Sequence, residues 1–293
     1  MKSRHLLFVF VVLALLLAAC GPQGLPVPAD PVEAVKLIAD KQKEIKSQHL
    51  DVSLDLGLKL EGIEAPDASS QQALALFKNF KGNLTLAGDV DTAKSEAALK
   101  GSLDLGALTP LLAQGNETLE FELVKVGDKL YTKALDQDWQ ESDAKMPADT
   151  DQPADSNADF NAAQLSELLK KAAKAEKLND EAIDGVDSYH YKVTLDPLTL
   201  IQEAAKLAQS TAGAESIDQA QLDEAKKFLQ DSVVIVEVWV GKQDLFIRQQ
   251  NIVFDLTLKD LPDQPADATA TINLALTAKT TKINEPVTIA APK

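Results

Sequence analysis

Few side chains in this sequence could do covalent or acid-base chemistry. Cys20 is the only cysteine in 293 residues, and the histidines are His5, His49 and His190. No intrachain disulfide can form from one thiol, so stability must come from burial. His49 and His190 occupy polar positions of alternating segments, where a solvated or strand-face histidine is the simpler reading than an acid-base catalyst. Serines and carboxylates are plentiful, yet no H-E-x-x-H, G-x-S-x-G or G-x-x-x-x-G-K-[ST] pattern selects a nucleophile, base or phosphate cradle. Asp149, Asp151, Asp155, Asn157 and Asp159 supply the oxygens calcium favours, but the glycine and terminal glutamate of an EF-hand loop are missing. With Ala, Pro and Ser around them, the stretch reads as a solvated loop, residues 141 to 160, and no metal or cofactor is expected.

Cys20 stands directly behind a leader of recognisable layout. Lys2 and Arg4 precede the uninterrupted apolar run Leu6 to Ala19, which at 14 residues falls short of the roughly 20 that a helix needs to span a bilayer. Residues 1–19 therefore read as a secretory signal peptide. Leu17-Ala18-Ala19-Cys20 resembles the lipobox of bacterial lipoproteins, and that resemblance implies cleavage before Cys20 and diacylglycerol on its thiol. Acylated in this way, Cys20 is a membrane anchor and no nucleophile.

Once Lys2 and Arg4 are removed with the leader, 27 basic residues face 45 acidic ones, a formal net charge of −18. Such a surface repels phosphate backbones, which argues against a nucleic-acid partner. It also offers no polybasic patch to anionic headgroups, so the acyl chains alone must hold the membrane. Residues 20–29 form the lipidated N-terminus and a proline-rich tether, able to lift a domain by up to roughly 28 Å. The folded domain is then expected over residues 30–293.

Asp30 is placed to cap a helix, Pro31 suits its first turn, Glu33 falls where a capping-box acid belongs, and Val32, Val35, Ile38 and Ile45 continue the spacing. After His49 the period changes to two: Leu50, Val52, Leu54, Leu56, Leu58 and Leu60 alternate with polar neighbours. The same alternation marks Leu84, Leu86 and Val90; Leu99, Leu103 and Leu105; Leu119, Phe121 and Leu123; Ile252, Phe254, Leu256 and Leu258; and Ile272, Leu274 and Leu276. These predict antiparallel strands with one apolar face, whereas Val233 to Val240 predicts a strand covered on both faces. Helical spacing is predicted over residues 70–80 (Ala73, Leu76, Phe77, Phe80), over 161–178 (Leu165, Leu168, Leu169, Ala172), and from Pro197 to about Gln230 with a break at Ser210 to Gly213. No regular strand-helix alternation appears. The expected fold is α+β, a single curved antiparallel sheet with helices covering its concave face.

Three further stretches occur in a familiar order. They are Val126-Gly-Asp-Lys-Leu-Tyr-Thr-Lys133 followed by Trp139, Ile183-Asp-Gly-Val-Asp-Ser-Tyr-His-Tyr-Lys-Val193, and Val236-Glu-Val-Trp-Val-Gly-Lys-Gln-Asp-Leu245 followed by the strand to Phe254. With the Cys20 motif and Ser47 to Leu56, they resemble the LppX/LprAFG group of bacterial lipoproteins, which is similar in fold to the LolA/LolB carriers, and the resemblance implies that the sheet is an unclosed half-barrel. The resemblance implies an exported, non-enzymatic lipoprotein of the cell envelope, lipid-anchored to a membrane, that binds lipid or glycolipid acyl chains in a hydrophobic cavity and transports them. The residues expected to line that cavity are Leu54, Leu56, Leu58, Leu84, Leu86, Leu103, Phe254, Leu256 and Leu274. Gly127-Asp128 and Gly241-Lys242 read as turns, and Tyr131, Trp139, Tyr189, Tyr191 and Trp239 as strand aromatics that pack in the core or touch lipid. A ligand-free envelope scaffold or partner-binding lipoprotein is the alternative, because a cavity lining and a dry core share one apolar pattern.

Overall fold

The computed structural model describes residues 24–65, 67–112, 115–134, 137–143, 169–170, 174–198, 202, 229, 232–259, 264–265 and 267–293. The first helix, α1 (Pro31–Lys41), starts where the cap requires it: Asp30 Oδ1 accepts from the Val32 and Glu33 amides at 2.8 and 3.1 Å. Glu33 turns forward to Lys36 Nζ at 2.8 Å, so the second half of a capping box is absent. Ala34, Val35, Ile38 and Ala39 bury one stripe of the helix. The helix tightens into a 3-10 turn, Gln42–Glu44, and delivers buried Ile45 to the first strand.

Twelve strands form one sheet: β1 (Ser47–Glu61), β2 (Asn79–Asp91), β3 (Glu96–Asp104), β4 (Leu119–Val126), β5 (Lys129–Ala134), β6 (Gln140–Asp143), β7 (Lys174–Lys177), β8 (Glu181–Ile183), β9 (Val186–Leu195), β10 (Val233–Gly241), β11 (Ile247–Leu258) and β12 (Thr269–Thr281). The order is β6-β5-β4-β3-β2-β1-β12-β11-β10-β9-β7, with β8 folded onto β9. Every described ladder is antiparallel, and among the described residues β6 and β7 do not pair, so the sheet is unclosed. The chain meanders outward from β1 to β6 and later back from β9 to β12, which pairs with β1 from His49↔Thr281 to Glu61↔Thr269. First and last strands therefore lie side by side at the centre. Helix α2 (Ala68–Phe77), capped by Asp67 onto the Ser70 amide, joins β1 to β2, and a single turn, α3 (Thr109–Leu112), follows β3.

Several local expectations are corrected. The helix expected over 70–80 ends at Phe77, and Phe80 belongs to β2 opposite Leu58, because the two-residue period begins at Asn79. Leu105 lies beyond β3: Asp104 Oδ1 accepts from the Gly106 amide at 2.7 Å and turns the chain out of the sheet. Within the predicted helix 161–178, Leu169 and Lys170 are helical, but Lys174–Lys177 is strand, since the edge of β9 offers backbone partners there. Leu165, Leu168 and Ala172 lie outside the described residues, as do Ala73's side chain, the Ser210 to Gly213 break, and all but Pro197, Leu198, Gln202 and Leu229 of the stretch to Gln230. The acidic stretch begins as strand: Glu141 and Asp143 of β6 flank Lys129 Nζ at 2.8 and 2.9 Å, while Asp149 to Asp159 lie outside the described residues.

Order also starts earlier than Asp30. The Leu25 amide donates to Lys242 O at 2.6 Å, Tyr189 Oη donates to Leu25 O at 3.2 Å, and Val27 packs against the core. Leu25 and Val27 are thereby held against the sheet.

One backbone position admits only glycine. Gly88 of β2 has φ +155°, and an added Cβ would stand 2.0 Å from the Ala98 carbonyl oxygen of β3. Gly88→Ala should therefore cost about 3 kcal/mol or more, combining backbone strain with a contact the ladder cannot relieve. Urea unfolding of the variant beside the parent measures it.

Candidate functional site

Residues directly opposite in a ladder share a sheet face. Following the registers, Val193, Val236, Ile252, Leu276, Leu54, Leu84, Leu103 and Leu119 form one unbroken apolar row from β9 to β4. A second row holds Phe254, Leu274, Leu56 and Gly82, a third Leu256, Ile272, Leu58 and Phe80, and a fourth Gln250, Ala278, Val52, Leu86, Gly101 and Phe121. All nine expected lining residues thus lie on one face. Ile252, Leu276, Ile272, Val52, Phe80, Leu119 and Phe121 join them, signalled by the same alternation.

The face divides into two halves of different character. At β9 and β10 it is dry: Val193, Val236, Val238 and Tyr191 pack with Val35, Ile38 and Ala39 of α1 and with Leu169. Gln42 locks this half, its Nε2 donating to the Ile38 and Leu245 carbonyls at 2.6 and 3.0 Å and its Oε1 accepting from the Ile247 amide at 3.0 Å. Nothing in the sequence pattern marks that glutamine, because two of its three partners, Leu245 and Ile247, lie some two hundred residues away. From β12 to β4 the cover thins. Leu54, Leu58, Leu84, Leu86, Leu103 and Leu274 are half-buried, Leu56 is 37 % exposed, and of the nine only Leu256 is buried. Ile252 and Phe254 of β11 mark the boundary, half-buried against the dry core.

Two aromatic rings lie down on this face. The Phe121 ring occupies the space over Gly101, its Cζ 2.5 Å from where a glycine Cβ would stand, and the Phe80 ring covers Gly82 likewise at 3.2 Å. Glycine at these two positions lets the rings rest on the backbone. Phe77 of α2 meets Phe80 at 6.0 Å between centroids, and Leu76 and Phe77 are 38 % and 39 % exposed at that end of the sheet.

The opposite face carries the polar groups. His49 Nδ1 sits 2.6 Å from Asp89 Oδ1, while His190 stacks on Trp239 at 4.2 Å with its Nε2 3.3 Å from Glu237 Oε2. Four strand spacings, about 19 Å, separate the two imidazoles, too far for shared acid-base work. Trp239 Nε1 donates to Glu181 Oε2 at 3.0 Å, which explains why β10 is covered on its second face as well. A shallow groove of about 310 Å³ lies over Asp51, Ser53, Thr85, Lys100, Thr277 and Lys279 on this polar side, with Val52 and Leu86 of the fourth row also in its lining. Among the described residues no cluster of three or more His, Cys, Asp or Glu could hold a metal, and no helix is long and apolar enough to cross a membrane.

The expected turns stand at Gly127-Asp128 between β4 and β5 and at Gly241-Lys242 after β10. Of the aromatics, Tyr189 and Tyr191 lie on the apolar face in its dry half, Tyr131 and Trp239 on the polar face, and Trp139 just before β6. None reaches the half-covered rows. Tyr191 is 1 % exposed and its Oη has no hydrogen-bond partner among the described residues. Burial, with the negative Tyr189 and Asp180 groups, pushes its pKa up from 10.0 to about 12. The unfolded chain then releases this proton first, so stability from the group is intact below pH 10 and declines between pH 10 and 12, by about 2–3 kcal/mol. Tyr191→Phe should match or exceed the parent at neutral pH and lose that alkaline decline, which denaturation at stepped pH would read.

Among the described residues, fold and face together define one unclosed antiparallel sheet with an apolar face, packed by a helix at β9 and β10 and half-buried from β12 to β4. No family model and no curated protein matches the chain. Among solved structures it is similar to LprF from Mycobacterium bovis, at 13 % identity over 90 % of this chain and 99 % of that one with a TM-score of 0.43. It is likewise similar to the lipoprotein LppX from Mycobacterium tuberculosis, at 16 % identity over 88 % and 98 % with a TM-score of 0.38. Likenesses this distant carry no argument about what the chain binds.

Proposed function

We propose that this chain is a non-enzymatic envelope lipoprotein, anchored through diacylglycerol on Cys20, that takes lipid or glycolipid acyl chains onto its apolar sheet face and carries them across the envelope. The observation that supports it is the half-covered row Ile252, Leu276, Leu54, Leu84, Leu103, Leu119. Its six strands run for about 24 Å, long enough to lay an extended acyl chain across the ladders. Each methylene removed from water there is worth about 0.8 kcal/mol, so affinity needs no polar recognition and should rise with chain length. A finished core would have buried these leucines as completely as it buries Val193 and Val236.

Organic extracts of the purified chain, read by mass spectrometry, test the ligand: a stoichiometric lipid is expected, and clean extracts together with no binding of added lipid of any length would sink the carrier reading. The anchor is tested separately. Cys20→Ala should move the chain from the membrane fraction to the soluble or uncleaved pool, while the parent should gain the mass of at least two acyl chains, since one holds a membrane only marginally.

A further inference from the structure

The docked segment 24–28 bears on how an anchored domain would stand on its membrane. Leu25 is held on both sides, its amide by Lys242 O and its carbonyl by Tyr189 Oη, and Val27 is packed into the dry core. Gly24 fits so closely that a Cβ there would stand 2.8 Å from Lys242 Cβ and 2.9 Å from Tyr189 Oη. Lys242 is itself fixed, its Nζ 3.0 Å from Asp180 and 3.4 Å from Asp187. From Cys20 to Gly24 the chain can span at most about 14 Å, half the reach of a tether extending to Ala29.

Lys242 stands in the turn after β10, at the same end of the sheet as the start of β1, the end of β12 and the turn Thr92 to Ser95 between β2 and β3. Helix α2, with exposed Leu76 and Phe77, lies at the other end, about 45 Å away along β1. We propose that residues 24–28 act as a clamp that ties the lipid anchor to the Lys242 end, so that this end of the sheet faces the bilayer and the α2 end of the apolar face points away from it. The partner surface is the lipid bilayer that holds the anchor. The orientation rests on the anchor reading of Cys20; the clamp itself does not. The consequence is directional: acyl chains would enter or leave the face at a distance from the anchoring membrane, toward an acceptor elsewhere.

Because Cys20 is consumed by acylation, a single added cysteine reports one position. The full lipidated chain, its acyl mass verified, is placed on vesicles of neutral phospholipid carrying nitroxide headgroups, with a fluorophore at Ala93→Cys near the Lys242 end or at Gln72→Cys in α2. Quenching is expected to be several-fold stronger at position 93 than at 72, and Gly24→Val should bring the two together, with Tyr189→Phe moving them the same way by less. In parallel, hydrogen exchange of the Leu25 amide should be slow in the parent and fast in Gly24→Val, with the thermal midpoint of each variant confirming that the sheet survives. Equal quenching at both positions, or a difference that Gly24→Val leaves intact, overturns the orientation. A chain that gains no acyl mass overturns the anchor reading and the orientation with it, while the Leu25 amide still decides whether the clamp exists.

Discussion

Leu56→Trp and Leu274→Trp should each lower uptake of a fluorescent long-chain lipid by about 10-fold or more while leaving the unfolding midpoint close to that of the parent. The two residues face each other across the β1–β12 ladder, and Leu56 is 37 % exposed with only Gly82 opposite it on β2. Leu56 is exposed and Leu274 half-buried, so an indole at either position is expected to be accommodated beside its described neighbours and the fold to lose little. The same indole occupies surface that an acyl chain would cover, and denying contact to two or more methylenes removes about 1.6 kcal/mol or more of binding, which is the expected tenfold. In a close-packed core the substitutions would behave otherwise, costing about 1–3 kcal/mol of stability through overpacking. Urea unfolding and lipid titration of the two variants and the parent separate these outcomes. Loss of stability in both variants, together with a parent that binds no lipid of any length, would replace the carrier by the ligand-free scaffold.

Ile38→Ala should show the reverse pattern, a loss of about 2–5 kcal/mol in stability with lipid affinity of the folded fraction unchanged. Ile38 is fully buried where α1 packs against the dry half of the sheet, and its carbonyl is one of the two that Gln42 engages. Deleting its side chain opens a cavity in the part of the molecule held rigid by α1, β9 and β10, remote from Leu54, Leu84 and Leu103 across the sheet. A cost below about 1 kcal/mol would mean that α1 does not close the core. Chemical unfolding gives the first quantity and titration under native conditions the second. The pair of experiments thus tests whether the two halves of one apolar face do different work.

What could be read from the chain by itself was whatever depends on neighbours along it. A strand side chain alternates with period two, so the apolar residues within each of β1, β2, β3, β11 and β12 had to share a face, and the registers between strands bring all nine expected lining residues onto one. Asp30 caps α1 because the amides it satisfies are two and three residues away. Local spacing misjudged 174–177 and Phe80, because helix and strand periods compete over short apolar runs and an open strand edge decides between them. Everything that separates a core from a site came from contacts distant in sequence. That β12 pairs with β1, that Gln42 clasps the start of β11, that Lys242 and Tyr189 hold Leu25, and that α1 seals β9 and β10 while Leu56 stays 37 % exposed, all depend on segments brought together by the closing of the meander onto its first strand. Apolar alternation states which way a side chain faces; only the tertiary structure decides what, if anything, stands opposite it, because burial is a property of the pair and not of the residue.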